Sequence, residues 1–252
     1  MDFGLILDVR PGAFWAESFP ILKLVPDCLA PWKREVKRRA QDSTQMLSRL
    51  ARDVRDRMER GDAPESFTKT LWLKRKENPG SISEREIAYA TGSLFGAGSD
   101  TSSATLMSFF LAMTCFPRVS AAAQEELDRV VGTNRSPTWS DWPNLPYCNA
   151  VIKETLRWRP VAVMGGTPHA STEDDEYEGH FIPKGTTILG NLWAIHHNGD
   201  YFKNSHDFIP ERYLGSGLND GSKPYPGRDG HSAFGWVCIS FDRLFRSLGT
   251  VS

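Results

Sequence analysis

The sequence predicts a mainly α-helical protein with a small β-sheet, arranged around one long central helix. The first observation is an apolar stretch without internal proline over residues 83–117. The second is a pair of shorter helix patterns, at residues 32–60, where apolar residues recur at helical spacing, and at residues 147–159, between two prolines. The third is a proline-glycine turn at residues 183–185, which separates two short segments typical of strands.

Composition places the chain among ordinary soluble globular proteins. Its 252 residues suffice for one or two domains, and 40% are hydrophobic and 24% charged. The formal net charge of −1 argues against general nucleic-acid binding. Neither zinc-site spacing nor a disulfide framework is visible among the cysteines, which favours a reducing compartment: Cys28, Cys115, Cys148 and Cys238.

The amino-terminal part predicts no targeting segment. Residues 1–9 contain two aspartates and lack a basic leader, so neither a signal peptide nor a membrane anchor is expected there. Residues 14–31 are rich in aromatic residues and proline, which is typical of a loop with short helices lying on a surface. Residues 32–60 then form an amphipathic helix or helix pair that ends at Gly61. Because its basic residues are interleaved with acidic ones, a solvated face is favoured over a surface for nucleic acid or acidic lipid.

The central helix follows a turn-rich connection that holds a short helix around residues 70–74. Ser83 followed by Glu86 is the pattern of a capping box, and Pro117 lacks the amide hydrogen needed to continue a helix. At ~1.5 Å per residue such a helix crosses a whole domain. Its apolar residues fall on every face, so we expect it to be buried on all sides.

The middle of the central helix is unexpectedly polar. Residues 96–102, GAGSDTS, place two glycines, a carboxylate and hydroxyl groups where the helix should be most deeply buried. Each glycine weakens a helix interior by ~1 kcal/mol, and an unpaired buried carboxylate costs more than one hydrogen bond returns. One interpretation is that the hydroxyls bond to the preceding helical turn and Asp100 pairs with an arginine. Another is that the helix spans a membrane and packs against a neighbouring helix through a Gly92/Gly96 face. A functional site is the third interpretation.

The second half of the chain predicts smaller elements. Residues 120–131 form a helix stopped by Gly132, and an irregular run with three prolines follows. Glu154 and Arg157 lie three residues apart in the next helix and therefore share one face. Taken alone, such a pair is most often an exposed ion pair worth under ~1 kcal/mol. Its meaning depends on the motifs around it.

Five motifs in this order resemble those of a cytochrome P450: AGSDTS in the central helix, ETLR at residues 154–157, the strand pair, FIPERY at residues 208–213 and FGW at residues 234–236. Residues 165–197 are especially similar to the filamentous-fungal, secondary-metabolite type of haem-thiolate monooxygenase. The resemblance predicts a partial cytochrome P450 domain over residues 1–236 and an aberrant tail over residues 237–252.

The resemblance also implies cofactors and partners. These are a b-type haem, dioxygen, an apolar small molecule as substrate and an NADPH–cytochrome P450 reductase as electron donor, with no nucleic acid. The family works at the cytosolic face of the endoplasmic reticulum membrane. Because the sequence shows no anchor, the location of this chain itself is expected to be cytosolic or is left open.

The resemblance gives roles to the unusual residues. Gly98 would let the central helix open where dioxygen binds over the haem, Thr101 would offer its hydroxyl to that dioxygen, and Asp100 would relay protons. His169 would bind a haem propionate, although a solvated loop histidine is the alternative. Phe234 would begin the haem-binding loop.

The E-x-x-R helix would have a structural role. By the resemblance, Glu154 and Arg157 would pair inward with Arg212 and fix the loop under the haem. Removal of one member would strand a buried charge at a cost of ~3–5 kcal/mol. By the resemblance, an apolar substrate pocket would be lined by residues 161–164, Leu94, Phe95 and Thr105, although core packing explains these residues nearly as well.

The haem-binding loop departs from the family pattern F-G-x-G-x-R-x-C-x-G. Phe234 starts the pattern correctly, but Phe241 occupies the position of the thiolate ligand, and the later glycines and the arginine have no counterparts. Cys238 is the candidate metal ligand that remains. Either residues are deleted and Cys238 ligates through a shortened loop, or residues 237–252 are a retained intron, since Val-Cys can be encoded by the fungal donor sequence GTATGT. The second explanation is favoured.

The amino end likewise lacks counterparts of the family's anchor, its first sheet strands and its W-x-x-x-R helix. We therefore expect a truncated and impaired monooxygenase-like protein. Two alternatives stay open. One is a non-catalytic remnant that does not bind haem, and the other is a helical, membrane-associated scaffold without a cofactor.

Overall fold

The computed structural model describes residues 15–166, 168–215 and 231–234, and it confirms a mainly helical protein with little sheet. The chain divides into two compact units, residues 1–100 and 101–252. The α-helices are α1 (Trp15–Ser18), α2 (Pro31–Arg60), α3 (Phe67–Glu77), α4 (Glu84–Cys115), α5 (Pro117–Val130), α6 (Pro146–Trp158) and α7 (Leu192–His196). The strands are β1 (His169–Ala170), β2 (Asp175–Tyr177), β3 (His180–Ile182) and β4 (Thr187–Ile188). Short 3-10 helices cover Pro20–Leu24, Asp27–Leu29, Trp139–Asn144 and Pro210–Tyr213.

The first unit is built on α2, which is one continuous helix of 30 residues and not a pair. It ends at Gly61, whose φ of 81° is the left-handed conformation that closes a helix. Its apolar face packs with α3 and the start of α4 around the buried indole of Trp72. The indole Nε1 donates to the carbonyl oxygen of Ala51 at 2.9 Å. The buried N–H group of Trp72 therefore has a hydrogen-bond partner within the core.

The predicted boundaries of α4 are confirmed. The main-chain N–H of Ser83 donates to Oε2 of Glu86 at 2.7 Å, and the N–H of Glu86 donates to Oγ of Ser83 at 3.1 Å, which is a complete capping box. Pro117, which ends α4, also starts α5 three residues before the predicted position, because proline is favourable in a first helical turn. Among the described residues no single helix has the length and apolarity to cross a membrane; α4 and α5 pass that test only as a pair, bent by 106° at their junction.

The prediction that α4 is buried on all sides is wrong. Ile87, Ala88 and Ala112 are buried near its two ends. Large apolar side chains between them are more than half exposed: Leu94, Phe95, Leu106, Met107 and Phe110. Apolar residues on every face need neighbours on every side, and these central side chains are only partly covered by the described residues.

The core of the second unit is an aromatic cluster that joins α5, α6 and the segment after α7. The ring centroids of Phe116, Trp158 and Phe208 lie between 5.7 and 5.9 Å apart. Trp158 Nε1 donates to the carbonyl oxygen of His206 at 2.8 Å. This packing holds the carboxyl end of α6 against residues 206–213.

The small sheet is two separate antiparallel pairs. The predicted strands on either side of residues 183–185 are present as β3 and β4, but β3 pairs with β2, and β4 pairs with β1. The reason is the turn between β2 and β3, where Glu178 and Gly179 both have positive φ, as a tight two-residue hairpin requires. In the turn at residues 183–185, the N–H of Gly185 donates to the carbonyl oxygen of Ser171. This hydrogen bond holds the turn next to the pair of β1 and β4.

Candidate functional site

Glu154 and Arg157 form a fully buried, bidentate ion pair on α6. Both side chains are 0% exposed. Arg157 Nε donates to Oε2 of Glu154 at 2.7 Å, and Nη2 donates to Oε1 at 2.8 Å. Two parallel hydrogen bonds fix the plane of the guanidinium group, which a lysine in this place could not provide. The pair is therefore not the exposed one that its spacing alone would suggest.

Main-chain carbonyl groups satisfy the other donors of Arg157. Nη1 donates to the carbonyl oxygens of His196 and Ser205, both at 2.8 Å, and Nη2 donates to that of Asp207 at 3.2 Å. The guanidinium carbon lies 5.2 Å from the ring centroid of Phe202. Because a buried arginine needs its donors paired, this one side chain fixes the end of α7 and residues 205–207 around α6.

Arg212 joins this pair from the 3-10 helix Pro210–Tyr213. Its Nε donates to Oε1 of Glu154 at 3.2 Å, and the main-chain N–H of Ile209 donates to the same oxygen at 2.9 Å. Two cations thus share one carboxylate, and main-chain carbonyl oxygens around both guanidinium groups supply further negative partial charge. The structure brings Glu154, Arg157 and Arg212 together in one buried group.

A second buried carboxylate holds the start of α6. Glu126 on α5 accepts the N–H of Tyr147 at 3.0 Å with one oxygen and the N–H of Cys148 at 2.9 Å with the other. Pro146, at the first position of the helix, has no N–H to satisfy. The carboxylate therefore pairs the next free donors at the positive end of the helix dipole and so orients the helix that carries the ion pair.

Gly98, Asp100 and Thr101 lie in the uncovered middle of α4. Asp100 is half-buried and Thr101 is exposed. A Cβ atom added at Gly98 would meet no atom of the described residues within 4 Å. Part of this polar stretch does follow the packing interpretation, because the Thr105 hydroxyl donates to the carbonyl oxygen of Thr101 at 2.9 Å.

The remaining predicted cofactor residues lie elsewhere. His169 is exposed on β1. Phe234 is 45% exposed, and its ring centroid lies 5.5 Å from that of His231, through which it is connected to α7. Residues 237–252, and with them Cys238, lie outside the described residues.

The stretch predicted to line a substrate pocket is a turn held against the start of α7. The N–H of Trp193 donates to the carbonyl oxygen of Val163 at 3.0 Å. Gly165 has a φ of 80°, and a Cβ atom there would lie 2.5 Å from the carbonyl oxygen of Gly190. Only glycine fits this close approach of two main chains, which sets the position of the partly exposed apolar side chains before it.

Sequence reasoning missed a buried histidine contact. His196 and His231 are buried, and Nε2 of His196 accepts the main-chain N–H of Ser232 at 2.9 Å. The one signal in the sequence was weak: a histidine at the end of the apolar segment LWAIH. Its partner is 36 residues further along, so local pattern could not reveal the contact.

The family to which this arrangement belongs follows from comparison with known proteins. The sequence model of the cytochrome P450 family matches residues 12–235. The chain therefore belongs to the cytochrome P450 family. The match ends before Cys238, at the point where the haem-loop pattern is lost.

Fungal relatives and a solved structure agree with this family. The chain is 38% identical to cytochrome P450 monooxygenase 58 of Postia placenta, over 93% of this chain and 45% of that protein. It is 39% identical to cytochrome P450 monooxygenase verL of Clonostachys rogersoniana, over 91% of this chain and 43% of that protein. A structure of zebra fish cytochrome P450 with progesterone matches with a TM-score of 0.63 at 31% identity, over 75% of this chain and 45% of that one. The chain spans about half the length of the curated relatives it matches.

Membership of this family implies a haem held by a cysteine thiolate, and the cysteines among the described residues do not fit that role. Among the described residues, Cys28 and Cys115 are exposed, and burial, helped by the Glu126 carboxylate, raises the pKa of the Cys148 thiol to about 12. In the sequence, the family's ligand position holds Phe241.

Proposed function

We propose that this chain is a cytochrome P450 monooxygenase-like protein, impaired in haem ligation in its present form. The whole protein would oxidise an apolar small molecule with O2 and electrons from an NADPH–cytochrome P450 reductase, at the cytosolic face of the endoplasmic reticulum. The observation that carries the proposal is the complete buried group of Glu154, Arg157 and Arg212, in a chain that the family matches over residues 12–235. Fungal relatives named as monooxygenases support an oxidation in fungal secondary metabolism.

The proposed roles divide into two sets. Glu154, Arg157 and Arg212 are structural, because their hydrogen bonds tie residues 203–213 and the end of α7 to α6. The residues proposed to face dioxygen or the cofactor in a form with an intact loop are Gly98, Asp100, Thr101, His169 and Phe234.

The second candidate function is a non-catalytic member of the family that does not bind haem. The displaced cysteine favours it, because a ring without a sulfur or nitrogen donor stands at the ligand position. The two candidates differ in whether repair of this one loop restores haem binding.

Loop repair tests the proposal directly. Four substitutions return residues 234–243 to the family pattern: Val237→Gly, Ile239→Arg, Phe241→Cys and Arg243→Gly. We expect the repaired variant to bind haem in an absorbance titration. The matched control carries the other three substitutions and keeps Phe241. It should bind no more haem than the original chain.

The outcomes separate the two candidates. Haem binding by the repaired variant but not by the control supports an impaired monooxygenase. Failure of the repaired variant supports the non-catalytic member, and equal binding by the original chain contradicts impaired ligation.

A further inference from the structure

We infer that His196 is a positioning residue whose Nε2 atom fixes the main chain of Ser232 to α7 and releases it when the ring is protonated. Ser232 N–H donates to Nε2 at 2.9 Å. His196 is 0% exposed and Ser232 is 3% exposed, so water does not compete for this hydrogen bond.

The direction of the hydrogen bond fixes the protonation state of the ring. A main-chain N–H can only donate, so Nε2 must present its lone pair, and the proton of the neutral ring is on Nδ1. Nδ1 is buried and has no hydrogen-bond partner within the part of the chain that the structure describes. The neutral ring therefore carries its proton on Nδ1, which has no partner among the described residues. The hydrogen bond from Ser232 to Nε2 is the interaction that favours this tautomer.

The same residue connects this contact to the buried ion pair. The carbonyl oxygen of His196 accepts Nη1 of Arg157 at 2.8 Å, while its side chain holds Ser232. The rings of Phe202 and His231 stand nearly edge-on to it, with centroids at 6.2 and 6.5 Å. One continuous path thus runs from α6 to residues 231–234.

The functional part of the inference rests on the proposed function. Phe234, where the family's haem-loop pattern begins, lies two residues after Ser232. The N–H of the intervening Ala233 donates to Nδ1 of His231, so the segment is folded tightly on itself. A shift of Ser232 would therefore shift the start of the loop.

Protonation must break the contact, because a proton on Nε2 removes the acceptor. The groups that face His196 are His231, Arg157 and His197, and Lys153 acts on His231. Burial first, and then His231 and Arg157, lower the pKa of His196 to about 4. Burial and Lys153 lower the pKa of His231 to about 4 as well.

These shifts give the pH dependence its sign. An opened segment would return both rings to an ordinary pKa of 6.5, so the open state binds more protons than the closed one between pH 6.5 and 4. The contact is fully stable above about pH 6.5 and weakens as the pH falls toward 4.

The test is hydrogen exchange at the Ser232 amide, measured residue by residue without added haem. His196→Phe keeps a ring and removes the acceptor, whereas His196→Gln places an amide oxygen near the same point. At pH 7.5 we expect at least tenfold faster exchange at Ser232 in His196→Phe and a rate within threefold of the original protein in His196→Gln. His206→Phe changes an exposed histidine on the neighbouring segment and should leave the rate unchanged.

The pH dependence supplies the second readout. Corrected for the intrinsic rate, Ser232 exchange in the original protein should accelerate between pH 6.5 and 4.5. The acceleration should be smaller in His196→Gln, because the residue that holds Ser232 no longer titrates. Unchanged exchange in His196→Phe would overturn the inference, as would equal acceleration at core amides such as Val151, which would indicate general unfolding. Because no haem is present, these results stand apart from the loop-repair experiment: a protein that shows the contact but never binds haem keeps the positioning role and loses the proposed function.

Discussion

At the residue scale, the buried ion pair depends on both of its partners. Removal of Glu154 would leave the guanidinium of Arg157 fully buried without its counter-charge. We predict that Glu154→Ala lowers the free energy of unfolding by about 3–5 kcal/mol, measured by urea denaturation. Glu35→Ala is the control, because that carboxylate pairs with Arg38 and Arg39 on the surface and its loss should have no measurable effect. Equal losses of unfolding free energy in the two variants would contradict the prediction that the buried ion pair contributes more to stability than the surface pair.

The cysteines give a second prediction at this scale. Burial, followed by the Glu126 carboxylate, raises the pKa of Cys148 to about 12, so the thiol stays protonated at neutral pH. Cys28 and Cys115 are exposed. In the folded protein at pH 8, iodoacetamide should modify Cys28 and Cys115 and leave Cys148 unmodified, as read by peptide mass spectrometry. Rapid modification of Cys148 would show that α5 and α6 do not pack as described.

Single residues also show what the sequence could and could not predict. The proximity of Glu154 and Arg157 follows from their helical spacing, but their complete burial depends on main-chain carbonyls about 40 to 50 residues away. His196 was missed for the same reason. Its partner, Ser232, is a main-chain donor, and no side-chain pattern marks a main-chain donor.

At the element scale, the position of α6 depends on a cap that another helix supplies. Glu126 accepts two N–H groups at the start of α6. We predict that Glu126→Ala lowers the free energy of unfolding by about 0.5–2 kcal/mol, the usual cost of a lost cap, in thermal or urea denaturation. Glu125→Ala, at an exposed position of the same helix, is the control and should change stability much less. No difference between them would mean that α6 does not need this carboxylate.

The turn before β1 gives a prediction with a close control. Gly165 and Gly179 both have φ near 80°, but a Cβ atom at Gly165 would lie 2.5 Å from the carbonyl oxygen of Gly190, whereas one at Gly179 would meet nothing within 4 Å. Gly179→Ala should cost about 1–3 kcal/mol from backbone strain alone. Gly165→Ala should cost more, because the two main chains must also separate. Comparable losses in denaturation experiments would argue against the close approach.

Local signals predicted helices better than sheet pairing. The ends of α4 follow from a capping box and a proline, and the end of α2 follows from Gly61. The pairing of β3 with β2 was not predicted, because it depends on the positive φ of Glu178 and Gly179, which composition does not specify. Strand positions are local properties, whereas strand partners are set by the turns.

At the scale of the whole molecule, the exposure of α4 differs from what its composition predicts. The burial prediction for α4 assumed neighbours on every side, yet its central apolar residues are more than half exposed. The chain spans about half the length of its curated relatives. Apolar residues on all faces of a helix indicate that the helix needs packed neighbours on every side. They do not show that this chain supplies those neighbours.

The most direct test of the account is the carbon monoxide difference spectrum of the original chain, reduced in the presence of added haem. The account combines the observed ion-pair group of Glu154, Arg157 and Arg212 with the proposal that haem ligation is impaired. It predicts no red-shifted Soret band of the type that a thiolate-ligated haem gives. Such a band, abolished by Cys238→Ser, would contradict the account and show that Cys238 ligates iron through a shortened loop.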